Sequence, residues 1–151
     1  MSLDPYRLPR TVVPRHYAVT LEPELAEARF TGTVSISVEV TEAVGQIVLN
    51  AIELDVSAVR VDGHDAPFHL DVVRERLFIT FAHGAGPATI DISFTGILND
   101  KLRGFYRSTY RDDAGTEQVI ATTQMQATDC RRAFPCFDEP ALKAVFSVTL
   151  V

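Results

Sequence analysis

Phe30-Thr31-Gly32-Thr33-Val34-Ser35-Ile36-Ser37-Val38-Glu39-Val40 places valine or isoleucine on every second position, with serine, threonine and glutamate between them. That period of two is the side-chain period of a pleated strand, so the stretch reads as one strand with a dry face and a wet face. Working outward, Tyr17-Ala18-Val19-Thr20-Leu21, Phe68-His69-Leu70-Asp71-Val72 and Ile90-Asp91-Ile92-Ser93-Phe94 repeat the alternation. Shorter apolar runs at Gln46-Ile47-Val48-Leu49, Val59-Arg60-Val61 and Leu77-Phe78-Ile79-Thr80-Phe81 read as further strands. Turn signals at Asp62-Gly63, Arg74-Glu75-Arg76 and Gly84-Ala85-Gly86-Pro87 separate them. The recurrence of turns predicts an all-β domain, an antiparallel sandwich or large curved sheet.

Composition agrees. The 151 residues include 17 valines, 8 isoleucines, 14 threonines, 9 phenylalanines and 4 tyrosines, about a third of the chain in residues suited to a half-buried pleated surface. Helix is expected only as one or two turns. Thr128-Asp129-Cys130-Arg131-Arg132-Ala133 opens on capping residues, and Asp138-Glu139-Pro140-Ala141-Leu142-Lys143 offers Asp138 as N-cap with proline in the first turn. The strand Val145-Phe146-Ser147-Val148-Thr149-Leu150-Val151 stops with the chain, so the sequence reads as cut within a domain. A truncated sheet exposes an edge, and edge-strand self-association is expected from it.

With 14 lysines and arginines against 20 acidic residues, the net charge is −6 and the pI about 5.1. A nucleic-acid partner needs a clustered basic face, and this balance argues against one. No run approaches the roughly 20 apolar residues that span a bilayer, and Met1-Ser2-Leu3-Asp4-Pro5 carries no apolar leader. A cytoplasmic protein with no membrane partner is the expectation. Cys130 and Cys136 are too few and too close together for a disulfide framework and form no Cys-x-x-Cys, so reduced thiols and no bound metal are expected of this chain.

The search for catalytic groups is mostly negative. His16, His64, His69 and His83 are scattered, with no His-Glu-x-x-His among them, and no Gly-x-Ser-x-Gly surrounds a serine. Asp138 and Glu139 are adjacent and point in different directions, and Arg131 and Arg132 stand ready as structural partners, so an acid/base pair is not read there. In an extended segment Gln124 and Gln126 would share one face about 6.6 Å apart, with Met125 on the other side. Two carboxamides side by side offer donors and acceptors to a polar ligand, and the same pair would also suit a solvated sheet edge.

The stretch from Gln124 to Lys143, Gln-Met-Gln-Ala-Thr-Asp-Cys-Arg-Arg-Ala-Phe-Pro-Cys-Phe-Asp-Glu-Pro-Ala-Leu-Lys, strongly resembles the signature near the end of the N-terminal domain of zinc aminopeptidases of the aminopeptidase N and puromycin-sensitive aminopeptidase family, which are gluzincin metallopeptidases. Matching pieces run through the chain: Tyr6-Arg7-Leu8-Pro9, Pro14-Arg15-His16-Tyr17, Phe30-Thr31-Gly32, Phe94-Thr95-Gly96 and Gly104-Phe105-Tyr106-Arg107-Ser108. The resemblance implies a saddle-shaped N-terminal β domain, with residues 1–151 being most of it. A catalytic domain that holds zinc through His-Glu-x-x-His and carries Gly-x-Met-Glu-Asn would follow, and it is missing from this chain.

The same resemblance implies that the parent removes N-terminal amino acids from peptides, and that this fragment alone is inactive. Gln124 matches the family glutamine lining the pocket for the substrate's first residue. Gln126 stands where the family usually has a glutamate that binds the free α-ammonium. Glutamine accepts only a neutral hydrogen bond there, so amine anchoring should weaken. The Gln-x-Gln pattern is also similar to the leukotriene A hydrolase branch, while Phe134-Pro135-Cys136-Phe137-Asp138-Glu139-Pro140 fits the aminopeptidase N side. Some relatives keep the N-terminal fold without peptidase activity, which makes a β scaffold or protein-interaction domain the alternative expectation.

Overall fold

The computed structural model describes residues 4–151; Met1-Ser2-Leu3, the start of the stretch read for a leader, lie outside the described residues. The chain forms β1 (Val12–Glu24), β2 (Arg29–Val40), β3 (Val44–Asn50), β4 (Leu54–Val61), β5 (His64–Asp65), β6 (Phe68–Asp71), β7 (Arg76–His83), β8 (Gly86–Ile97), β9 (Gly104–Arg111), β10 (Glu117–Gln124) and β11 (Val145–Leu150). The all-β reading is correct. Among the described residues no helix is long and apolar enough to cross a membrane.

One six-stranded sheet runs β11-β1-β2-β8-β4-β5, a second runs β3-β7-β6, and β9 and β10 form a separate two-stranded ribbon. The alternation in β2 does what period two requires, since Val34, Ile36, Val38 and Val40 are buried while Thr31, Thr33 and Ser37 are exposed. Side chains of both sheets meet in one core that joins Val34, Ile36, Ile90 and Ile92 to Ile47, Leu49, Leu77 and Ile79. In β3 and β7 the burial is continuous rather than alternating, from Ile47 to Asn50 and from Arg76 to Ile79, so this small sheet is covered on both faces. The N-terminal segment is tied to it through Arg76, a buried residue whose Nη2 donates to the carbonyls of Asp4 at 2.7 Å and Arg7 at 2.9 Å.

In β1 the register against β2 slips between Pro14 and His16. Proline has no N–H to give the ladder, and the extra residue there is a bulge. It leaves Tyr17 opposite Ile36 and facing the core.

Of the one or two helical turns expected, one forms. The second helical turn, at Asp138 to Lys143, does not form. Instead the Leu142 N–H donates to the Glu139 carbonyl at 2.9 Å in a single turn, and the Asp138 carboxylate is taken by Arg131 rather than capping a helix. The first is a three-residue 3-10 turn, Cys130–Arg132, in which Asp129 makes no side-chain cap and bonds Arg132 instead. The ribbon β9 and β10, by contrast, was invisible as alternation. Most of it lies outside the core, so no dry face imposes a period on its sequence. Phe105 anchors its base, edge-on to Phe30 with centroids 5.1 Å apart.

Candidate functional site

The signature segment leaves the ribbon at Gln124, the last residue of β10, which pairs with Gly104. Met125 turns inward against the core, and its carbonyl accepts the Asp129 N–H at 3.0 Å, folding the chain back into the 3-10 turn. Gln126 therefore does not continue the strand. Gln124 thus ends β10, and Gln126 sits in the turn that follows. Both side chains remain exposed, but Gln126 borders a hollow beneath the turn and Gln124 does not line it.

That hollow measures about 300 Å³, and its walls include Tyr17, Gln126, Cys130, Cys136, Glu139 and Phe146. The segment is pinned around it by bonds to distant strands. Asn50 and Cys136 exchange backbone hydrogen bonds at 2.8 and 3.0 Å, and the Asp138 N–H donates to Asn50 Oδ1 at 3.2 Å. The Phe137 N–H donates to the Tyr17 hydroxyl at 3.0 Å, while the Tyr17 ring stacks on Phe146 with centroids 4.6 Å apart and planes within 4°. Burial drives the Tyr17 phenol far above its ordinary range, and the neighbouring Cys136 adds to the effect.

The charged residues resolve into separate pairs, as their adjacency in sequence suggested. Arg131 Nε holds Asp138 Oδ2 at 2.8 Å and its Nη1 holds Glu75 Oε2 at 3.0 Å. Arg132 binds Asp129 at 2.8 Å and Glu53 at 2.7 Å. Burial opposes the Arg132 charge, yet the bonds to Asp129 and Glu53 outweigh it and keep the guanidinium charged. Glu139 turns the other way. Its Oε1 accepts the Leu8 N–H at 2.5 Å, and its Oε2 pairs with Arg10 at 2.7 Å. No acid/base dyad results.

Three donor atoms that sequence spacing did not connect also meet here. A sulfur of Cys130, the sulfur of Cys136 and a carboxylate oxygen of Asp138 lie within 4.8 Å of one another. Cys136 is buried and Cys130 half-buried, and both are free thiols. Burial, then the Cys130 thiol and the Asp138 charge, raise the Cys136 thiol well above its usual value, with Arg131 partly opposing. No histidine joins the group, so the zinc ligands implied by the resemblance are not supplied by this cluster. A second hollow, about 330 Å³, lies on the six-stranded sheet among Thr20, Thr31, Thr33 and Ser93 with Glu22 at its edge, and it gathers no comparable set of groups.

Residues 13–151 match the family described as the peptidase M1 N-terminal domain. The chain is 42% identical over 152 residues to the alanine/arginine aminopeptidase of Saccharomyces cerevisiae, which covers 95% of this chain and 18% of that protein. It is 42% identical over 153 residues to the mitochondrial aminopeptidase 2 of the same yeast, covering 95% of this chain and 16% of that protein. Against aminopeptidase M1 of Arabidopsis thaliana the identity is 41% over 160 residues, with 95% and 18% covered. The chain thus spans 16 to 18% of the length of these relatives. Because the family match extends over nearly the whole sheet system and the signature segment together, this chain belongs to the peptidase M1 N-terminal domain family.

Proposed function

We propose that residues 1–151 are most of the N-terminal β domain of a longer zinc-dependent aminopeptidase, and that the chain contributes one wall of the pocket for a peptide's free amino terminus. The observation that carries this reading is the match from residue 13 to residue 151, together with the aminopeptidase names of relatives five to six times as long. In this reading zinc belongs to the catalytic domain that follows, where it supplies Lewis-acid polarisation of the scissile carbonyl when bound. The residues of this chain bind and orient. Gln126 presents a neutral carboxamide beside the hollow, and Gln124 presents a second from the end of β10. The apolar row Phe146, Val148 and Leu150, which continues the inner face of β1 yet stays exposed, is the surface assigned to the rest of the parent.

The test is peptide hydrolysis by the full-length parent, compared with this chain alone. The parent should release N-terminal residues from aminoacyl chromogenic substrates, and the chain alone should release none. Gln124→Ala and Gln126→Ala in the parent should raise KM for free-amine peptides. An inactive parent would sink the aminopeptidase reading in favour of a β scaffold, and unchanged KM in both variants would remove the two glutamines from the pocket.

A further inference from the structure

We propose that Cys130, Cys136 and Asp138 form a binding site for a soft, thiophilic divalent cation of the zinc and cadmium class. This goes beyond the aminopeptidase reading and does not depend on it. The donor set is two sulfurs and one carboxylate oxygen, all within 4.8 Å of one another. A tetrahedral zinc ion with Zn–S bonds of about 2.3 Å spaces its sulfurs about 3.8 Å apart, so a small rotation of the less buried Cys130 suffices to close the site. Thiolates select soft cations over magnesium or calcium, which prefer all-oxygen cages.

The surroundings fit the role. The backbone N–H and carbonyl of Cys136 both bond Asn50, which fixes the backbone from which its buried thiol projects. Arg131 binds Asp138 Oδ2 through its Nε, and a carboxylate oriented in this way by a neighbouring hydrogen-bond partner is common in metal sites. The hollow bordered by Gln126 gives access and leaves a fourth coordination position open. Binding replaces two thiol protons: one divalent cation joins two thiolate sulfurs and Asp138, and two protons leave to solvent. Sequence spacing hid the set because Cys-x5-Cys-x-Asp matches no short ligand motif, and only the fold closes it.

The experiment titrates the reduced, chelator-treated chain with cadmium, followed by the ultraviolet thiolate-to-cadmium charge-transfer band, and then displaces cadmium with zinc. One cation per chain is expected. Cys130→Ala should weaken binding at least about 100-fold, the upper end of what even indirect partners of a metal contribute. Asp138→Asn should weaken it about tenfold or more while keeping the charge-transfer band. In the unaltered chain, zinc should slow alkylation of Cys130, a readout that survives if a variant fails to fold. Absence of the band, equal affinity in the Cys130→Ala chain, or alkylation indifferent to zinc would each overturn the site. So would a disulfide linking Cys130 to Cys136 in protein isolated without reductant whose reduced form takes up no cation.

Discussion

The Tyr17 hydroxyl accepts the amide hydrogen of Phe137 at 3.0 Å, a bond that closes 120 residues of chain and fastens the signature segment to the first half of β1. Both groups are buried, so the partner of each is not water but the other. Tyr17→Phe keeps the ring stacked on Phe146 and deletes only the acceptor. Leaving the Phe137 N–H unsatisfied should cost about 1–3 kcal/mol, read as a lower denaturant midpoint with an unchanged slope.

The same tyrosine predicts how stability depends on alkali. Its ordinary value is 10.0 and the folded environment raises it, so its contribution is complete below pH 10 and is lost as pH rises above that. Cys136, raised from an ordinary 9.0, acts in the same direction from a lower starting point. Stability should fall above pH 9, and more steeply above pH 10, approaching about 1.4 kcal/mol per pH unit for each such group that the unfolded chain ionises and the folded chain does not. Tyr17→Phe should flatten the upper part of the curve. Equal slopes in both proteins would show that the phenol ionises without unfolding.

Two Phe-Thr-Gly triplets face each other across β2 and β8, with Phe30 opposite Gly96 and Gly32 opposite Phe94. Each ring lies over the other strand's glycine, and a Cβ at Gly32 would come within 2.6 Å of the Phe94 ring. Gly32→Ala and Gly96→Ala should therefore each destabilise by about 1–3 kcal/mol through overpacking. Gly45→Ala, where nothing lies within 4 Å of the added carbon, is the control and should leave the melting midpoint nearly unchanged.

Strand β11 pairs with β1 on one side, in parallel, while its other side is the sheet edge. Phe146, Val148 and Leu150 stay 51%, 62% and 66% exposed although their partners Tyr17, Val19 and Leu21 are buried. The chain should form dimers or larger species as concentration rises, and Val148→Lys should return it to monomer. Sedimentation showing a monomer at high concentration before any substitution would contradict this.

If Gln126 receives the substrate ammonium in the parent enzyme, Gln126→Glu adds an opposite charge beside it. The ammonium's bond to the carboxamide carries one charge and its bond to a carboxylate two; if the second charge adds about 1–2 kcal/mol, free-amine peptides should bind about five to thirty times better. Gln126→Ala should bind them more weakly, and acetylated peptides should not distinguish the three proteins. Michaelis constants on matched peptides decide it.

By itself the sequence determined which stretches are strands and which face of β2 is dry. Val34, Ile36 and Val38 are buried because alternation along β2 survives any arrangement of the neighbouring strands, whereas the facing of the two Phe-Thr-Gly triplets across β2 and β8 is a matter of register that the structure supplies. The resemblance over Gln124 to Lys143 likewise lies in residue identities, which need no fold to be seen. Only tertiary structure decided the rest. The ribbon of β9 and β10 has no period to read because solvent reaches both its faces, and Asp138 left its capping role because Arg131 offered a stronger, charged partner. The meeting of Tyr17, Cys130, Cys136 and Asp138 rests on the bonds that join Asn50 to Cys136 and Tyr17 to Phe137, made between segments far apart in the chain. Long-range contacts of this kind leave no local period or motif, so the chemistry they assemble becomes visible only after the chain has closed.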